Sequence, residues 1–295
     1  MDAALYPRVA AVEDTHWWFA GRRAICERML DRMKLSPGAV ILELGCGTGG
    51  NFPMLARRGQ LYAMDDDESA LGFAASRRLA KLARGSLPRQ FPFTEGRFDL
   101  VVMTDVLEHL DDERGSLCAV HSSLTRGGWL LMTVPALSWL WSEHDTTHHH
   151  RRRYRAIELR RLLADCGFAI DYLSYYNFLL FPAIAGVRLL QRLRPGALNG
   201  NGRHDLKMPS PFINTMLLHL FSCERFVLGP FRLPVGVSLI ALAHICPQND
   251  GAGCSEEIFP GAAPLDRGRR SLPACDRLFD RPRPIGPVYQ GTRGM

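Results

Sequence analysis

A carboxylate, Glu43, stands two residues before a glycine-rich turn, Gly45-Cys46-Gly47-Thr48-Gly49-Gly50. Glycines let a backbone turn tightly and approach a bound molecule closely. The turn follows an apolar run ending at Leu44, and an acidic triplet, Asp65-Asp66-Asp67, lies further on. A strand, a glycine turn and an acid about 20 residues later can hold a nucleoside ribose by its hydroxyls. Gly45, Gly47 and Gly50 also meet dinucleotide-site spacing, so the glycines alone leave NAD open. Glu43 favours a ligand with an amino group over a pyrophosphate. No lysine follows the turn, which excludes a Walker-type phosphate loop. A second cluster is His144-Asp145 with His148-His149-His150-Arg151-Arg152-Arg153-Tyr154. An imidazole titrates near neutrality, so His144 and His150 are candidate bases for an acceptor hydroxyl. Arg152 and Arg153 could grip an anionic acceptor bidentately. The competing reading is a His–Asp–Arg network that only anchors the loop, and both stay open. Asp105, Glu108 and His109 form a third set, of a chemistry that suits a divalent ion. The reading taken is hydrogen bonding to the cofactor loop, with no metal assigned.

These residues need a scaffold. Residues 16–34 have helix-like apolar spacing through Trp18, Ile25, Met29 and Met33. Short apolar runs at Ala39–Leu44, Leu61–Met64, Phe98–Met103, Gly128–Val134, Phe168–Tyr175 and Gly236–Ile245 read as strands. Asp66–Leu82 reads as a helix with Leu71, Ala74, Ala75 and Leu79 on one face, and Ile157–Cys166 as a helix stopped by Gly167. Strands alternating with helices imply a doubly wound α/β fold, with ligands at the carboxyl ends of its strands. Residues 177–235 read as a helical insertion before the last strand, because so long a structureless loop is uncommon.

The motifs resemble those of class I S-adenosylmethionine-dependent methyltransferases. Glu43-Leu-Gly-Cys-Gly-Thr-Gly is similar to that family's first motif. Leu61-Tyr-Ala-Met-Asp65 resembles its second strand and ribose acid, Phe98–Leu110 its fourth strand and following turn, and Gly127-Gly128-Trp-Leu-Leu its fifth strand. The Glu108-His109-Leu110 signature resembles the small-molecule subgroup that includes ubiquinone-type O-methyltransferases. His16-Trp17-Trp18-Phe19 with Arg22-Arg23, joined to His144-Asp145 and His150-x-Arg152-Arg153-Tyr154, resembles bacterial methyltransferases.

The resemblance implies a Rossmann-like, seven-stranded, mostly parallel sheet with its last strand antiparallel. It implies that Gly45, Cys46, Gly47, Thr48 and Gly49 face the methionine part of S-adenosylmethionine, with Glu43 on its amino group and Asp65 on its ribose. Asp66, Ser86 and Leu87 would flank the adenine, and Thr104, Asp105 and His109 would lie near the sulfonium. Asp66 and Ser86 depart from the family, which usually has an apolar residue and an Asp at those places. The acceptor side would include Trp18, Arg22, Arg152, Arg153 and Tyr154, with Trp17-Trp18-Phe19 either core or a lid. The expected reaction is methyl transfer to a small-molecule acceptor, O-methylation favoured. The alternatives are a non-catalytic scaffold of the same fold, a nucleic-acid methyltransferase, or one acting on a lipid-linked cell-envelope intermediate. Thr104-Asp105-Val106-Leu107 lacks the Asn/Asp-Pro-Pro-aromatic tetrad of base amino methylation, so no nucleic acid is expected.

The chain has 295 residues, 46% hydrophobic and 22% charged. These are globular values, excluding a wholly disordered chain or a fibre. Its +6 charge comes from 33 Arg and 3 Lys scattered without a stripe, which reads as coding bias rather than an anion-binding surface. Eight cysteines without a C-x-x-C pair argue against a zinc site and fit a reducing cytoplasm. No signal peptide and no long charge-free apolar run are visible. Residues 1–246 are expected to form one domain. Residues 247–295, with seven Pro and seven Gly, are expected to be a disordered tail. The apolar run from Tyr175 to Val187 is followed by Arg188, Arg192 and Arg194. It reads as packing on the sheet and on 212–228, with peripheral membrane contact through 175–194 as the alternative.

Overall fold

The computed structural model describes residues 5–93, 95–193 and 207–245; the 247–295 expectation and Arg194 lie outside them. In chain order the elements are α1 (Tyr6–Val12), α2 (Trp17–Leu30), β1 (Val40–Leu44), α3 (Phe52–Ala56), β2 (Gln60–Asp65), α4 (Glu68–Ser76) and β3 (Lys81–Arg84). Then come β4 (Phe98–Thr104), α5 (Glu113–Ser123), β5 (Leu124–Pro135), α6 (Glu143–Thr147), α7 (Ala156–Asp165), β6 (Phe168–Tyr176), α8 (Phe181–Leu193), α9 (Pro211–Ser222) and β7 (Ser238–Ile245). The strands form one sheet in the order β3-β2-β1-β4-β5-β7-β6. All run parallel except β7, which is antiparallel to both β5 and β6.

Side chains alternate across a strand, so each strand feeds two cores. Ile41, Ala63, Leu100, Val102 and Leu131 pack with α2, α4 and Phe221 of α9. Leu42, Leu44, Val101, Leu130 and Met132 pack with α5 and α7 on the other face. Both faces are covered, which is why the parallel strands read as continuous apolar runs. The order reverses between β1 and β4, and the crevice at their carboxyl ends is where such sheets bind ligands.

Two expectations need correction. The helix expected over Asp66–Leu82 ends at Ser76. Arg78 takes a positive φ of 54°, Leu79 is exposed, and Leu82 is a core residue of β3. Leu79 and Leu82 continued the helical spacing by accident of a short strand following at once. The second concerns the 175–187 run and 212–228. Their packing is only partial: Tyr176, Leu180, Phe221 and Leu228 are buried and Ile184 and Leu217 pack on the core, whereas Leu179, Val187, Phe212, Ile213, Met216, Leu220 and Phe226 are exposed.

Candidate active site

The β1 turn is built from backbone. Gly45 and Gly47 adopt positive φ angles of 62° and 53°. A side chain on Gly45 would collide with Val106, whereas one on Gly47 would meet nothing within 4 Å. The Cys46 N–H donates to the Met64 carbonyl at 3.1 Å, which ties the turn to β2. The Gly47 N–H donates to Asp65 Oδ2 at 2.8 Å and the Asp67 N–H to Asp65 Oδ1 at 3.1 Å. Burial raises the Asp65 carboxyl above its usual range, and those two N–H groups oppose the shift. Asp67 caps α4, accepting from the N–H groups of Ser69 and Ala70.

Glu43 is buried in β1. Its Oε1 accepts from Asn51 Nδ2 at 2.7 Å, and its buried Oε2 has no partner among the described residues. Burial pushes its carboxyl up to about 8. The same Asn51 amide donates to Thr104 Oγ1 at 3.1 Å, linking the ends of β1 and β4. Thr48 turns its hydroxyl to Glu13 Oε1 at 2.5 Å, and Arg77 bonds both Glu13 and the Thr48 carbonyl. Gly49 has a φ of 83° and lies against Phe52 and Arg77. Asn51 stood in the motif without a role, and Glu13, Tyr6 and Arg77 carried no signal in the sequence. Tyr6 of α1 is buried, and its hydroxyl is pushed up by burial and by nearby Asp65.

Asp66 is exposed, beside Arg84, Gly85 and Gln90 in an open groove at the ends of β2 and β3. Ser86 and Leu87 follow β3, and Ser86 pairs with Gln90 through backbone bonds. At the end of β4, Asp105 has a φ of 56°, pairs with the buried guanidinium of Arg22, and accepts from Thr133 Oγ1 at 2.9 Å. Trp18 stacks on Phe221 with ring centres 5.1 Å apart, so α2 sits as a core helix.

The 142–154 loop lies at the same end. Asp145 has no exposed side-chain surface. It accepts from His150 Nδ1 at 2.9 Å, from Arg153 Nε at 2.7 Å and Nη2 at 3.0 Å, and from the Ser142 N–H at 2.9 Å. Those bonds hold its carboxyl well below the usual range, against the opposing effect of burial. A carboxylate only accepts, so in the neutral imidazole the His150 proton sits on Nδ1 and Nε2 is left as the acceptor. That Nε2 lies 4.0 Å from Glu108 Oε1. Glu108 is fully buried with both oxygens unpartnered among the described residues, and burial, with Asp105 nearby, raises its carboxyl strongly. Burial and His150 lower His109 to about 4. Glu108, His109 and His150 bring one ligand-type atom each within 4.8 Å of one another. His144 lies beside His148, ring centres 4.3 Å apart, and 5.8 Å from His150. Arg152 pairs with Glu113, and Tyr154 donates to the same carboxylate at 2.5 Å. The structure thus gathers Glu43, Gly47, Asp65, Thr104 and Asp105 in one crevice and His109 with His150 beside it. It directs Arg152, Arg153 and Tyr154 into pairs within the protein.

A description of the methyltransferase domain matches residues 18–173. A protein of Mycolicibacterium smegmatis, named as a probable S-adenosylmethionine-dependent methyltransferase, is 26% identical over 168 residues, 55% of this chain and 63% of that one. A demethylmenaquinone methyltransferase of Tropheryma whipplei is 24% identical over 193 residues, 53% of this chain and 74% of the relative. A magnesium-protoporphyrin O-methyltransferase of Synechocystis is 28% identical, covering 45% of this chain and 64% of its own. The chain spans less than two thirds of the mycobacterial relatives it matches. Among solved structures, the methyltransferase bound to the Haloferax volcanii Trm112 activator superposes with a TM-score of 0.55 at 16% identity, over 82% of this chain and 95% of that one. The cyclase SpnF superposes equally well, at 0.55 and 16%, over 83% and 93%, so the fold by itself leaves the reaction open. The matched domain, which spans β1 through β5 and carries the glycine turn and its acid, places this chain in the methyltransferase-domain family.

Proposed function

We propose that the protein transfers a methyl group from S-adenosylmethionine to a hydroxyl of a small-molecule acceptor. The observation that carries the reading is the Asp145–His150 dyad standing at the strand ends that hold the glycine turn and Asp105. The residues present fit the cofactor. Glu43 keeps a buried oxygen for a cationic amino group, Gly47 offers open space, and each Asp65 oxygen retains a lone pair beyond its one N–H bond. Two relatives are named for small acceptors, demethylmenaquinone and magnesium-protoporphyrin, which supports that class here.

Bound S-adenosylmethionine would supply a methyl group already activated on a sulfonium, so the protein's main task is positioning. Glu43 would take the amino group, Asp65 the ribose hydroxyls, and the backbone of Gly45–Gly47 the methionine chain. Ser86, Leu87 and the Asp66 backbone would border the adenine. Arg22 holds Asp105, which would lie below the transfer point. His150 Nε2 would accept the acceptor's hydroxyl proton as the new carbon–oxygen bond forms and the methyl–sulfur bond breaks, with Asp145 fixing the ring through Nδ1. Arg153 and Arg152 anchor the loop rather than grip the acceptor.

The test is His150→Gln, assayed with labelled S-adenosylmethionine against a panel of phenols and sugars. Turnover on the acceptor found should fall roughly a hundredfold or more, while S-adenosylhomocysteine binding holds. Unchanged turnover would remove His150 as base and point to an acceptor that needs none.

A further inference from the structure

The segment between β6 and β7 carries two helices whose outward sides are apolar. α9 turns Phe221 inward, fully buried between Trp18 and Tyr176, and packs Leu217 on the core. Phe212, Ile213, Met216 and Leu220 occupy the other side at helical spacing, all exposed, Phe212 by 78%. α8 sends Ile184 inward and leaves Val187, Leu189 and Leu190 exposed. Phe226 follows α9 with 70% of its surface exposed. Single exposed apolar side chains are ordinary; a succession of them over two helices marks an interaction surface.

Water-facing helices carry charge on the outer side. α9 has no Asp, Glu, Lys or Arg at all. α8 has Arg188 and Arg192 and no acid. Among the described residues from 175 to 222 there is no acid, while Lys207 adds a third cation. The next acid, Glu224, is turned inward, accepting from the N–H groups of Asn177 and Leu179 at 2.7 and 3.0 Å. No helix among the described residues is long and apolar enough to cross a membrane. Apolar helices too short to span, whose own charged side chains are all basic, have the character of helices lying in a lipid interface. Their positive sign complements anionic headgroups. Trp139 and Trp141, both exposed, extend the surface toward the candidate site. Trp139 contacts Phe181 of α8 edge to face, and its loop runs on into Ser142 and the His150 segment. Indole rings favour the headgroup level.

We propose that α8 and α9 dock this protein on an anionic lipid bilayer. Docking rests on surface chemistry alone and stands or falls apart from methyl transfer. The experiment is cosedimentation of the full chain with vesicles of phosphatidylcholine, alone or mixed with phosphatidylglycerol. The wild type should partition onto the mixed vesicles, and less with added salt. Phe212→Ser with Ile213→Ser should weaken that partition about tenfold or more, since two apolar side chains leave the interface. Arg188→Gln should weaken it only severalfold, and only on anionic vesicles. Circular dichroism and the thermal midpoint of the double variant should match the wild type, because Phe212 and Ile213 face outward. No partition onto either vesicle would overturn the proposal, as would equal partition of the double variant. A wild-type dimer split by the double substitution would also overturn it, assigning the face to a second copy.

Discussion

The glycine turn after β1 and the loop after β5 face the same end of the sheet but are held by opposite means. The turn is backbone: three left-handed glycines, a Cys46 N–H on β2, and a Gly47 N–H on Asp65. Thr48, its one bonded side-chain hydroxyl, points away to Glu13. The loop is side chain: Asp145 gathers His150, Arg153 and Ser142, while Glu113 gathers Arg152 and Tyr154. A turn made of backbone can change its surroundings and keep its shape. A loop made of buried charges depends on every partner, because an orphaned buried charge costs far more than a satisfied pair contributes.

The largest effect follows from that dependence. Asp145→Asn leaves Arg153 in the loop without its carboxylate and should destabilise the protein by about 3–5 kcal/mol at neutral pH. Urea unfolding at several pH values measures it. Asp145 has its carboxyl held below the ordinary range in the folded state. Its contribution is therefore complete above about pH 4, the unfolded value, and is lost as pH falls below that. The gap between wild type and variant should narrow on acidification. A gap under about 1 kcal/mol at pH 7 would mean that the loop stands without its charge network.

The same contrast explains what the sequence could and could not reveal. Gly45 and Gly47 have types dictated by backbone conformation and Asp65 one suited to the N–H groups it accepts, and those types are visible as letters at fixed spacing. The longer strands were accessible likewise, because runs such as Val40–Leu44 and Phe98–Thr104 are buried on both faces and flanked by turn residues. His150 and Arg153 were visible as residues but not as roles, since an anchoring network and a reacting one use the same letters. The pairing of Asp145 with both separates them: Arg153 has its donors on Asp145 and Ala136, whereas His150 keeps one nitrogen for accepting. Glu13 was beyond reach. It meets Thr48 and Arg77, which lie 35 and 64 residues away, and no local pattern encodes such a meeting. The helix drawn through Leu82 shows the limit for short elements, where four residues of strand can imitate one more helical turn.

Two neighbouring acids sharpen the comparison at the turn. Asp65 is buried with two N–H bonds, while Asp66 is exposed, accepts from Arg84 through its carbonyl at 3.2 Å, and adds to the upward push on the Asp65 carboxyl. Asp65→Ala should weaken S-adenosylhomocysteine binding roughly tenfold to a hundredfold, the loss of hydrogen bonds to a charged group. Asp66→Ala should change it less than about twofold, because a solvated carboxylate contributes little. Titration calorimetry on both variants reads the difference. Equal losses would show that the acid after β2 acts through local charge, not through its bonds.

The smallest expected effect is a fraction of a proton, and it tests the buried carboxyl that stands on β1 two residues before the backbone-built turn. With its carboxyl pushed up to about 8, Glu43 is roughly nine-tenths protonated at pH 7. A cationic amino group docking on its unpartnered oxygen favours the ionised form, so the complex must lower that value and binding must release a proton. Affinity should then rise with pH up to about 8 and level off above it. Folding carries the opposite sign: a raised carboxyl stabilises below the unfolded value and loses that contribution as pH rises through 8. Calorimetric titration with S-adenosylhomocysteine in phosphate and in Tris at pH 7 separates the released proton from the binding heat. Glu43→Gln should abolish the buffer dependence while keeping the Asn51 contact through its side-chain oxygen. Heats that match in the two buffers for the wild type would place the amino group elsewhere, and leave Glu43 as a neutral brace between Asn51 and the strand.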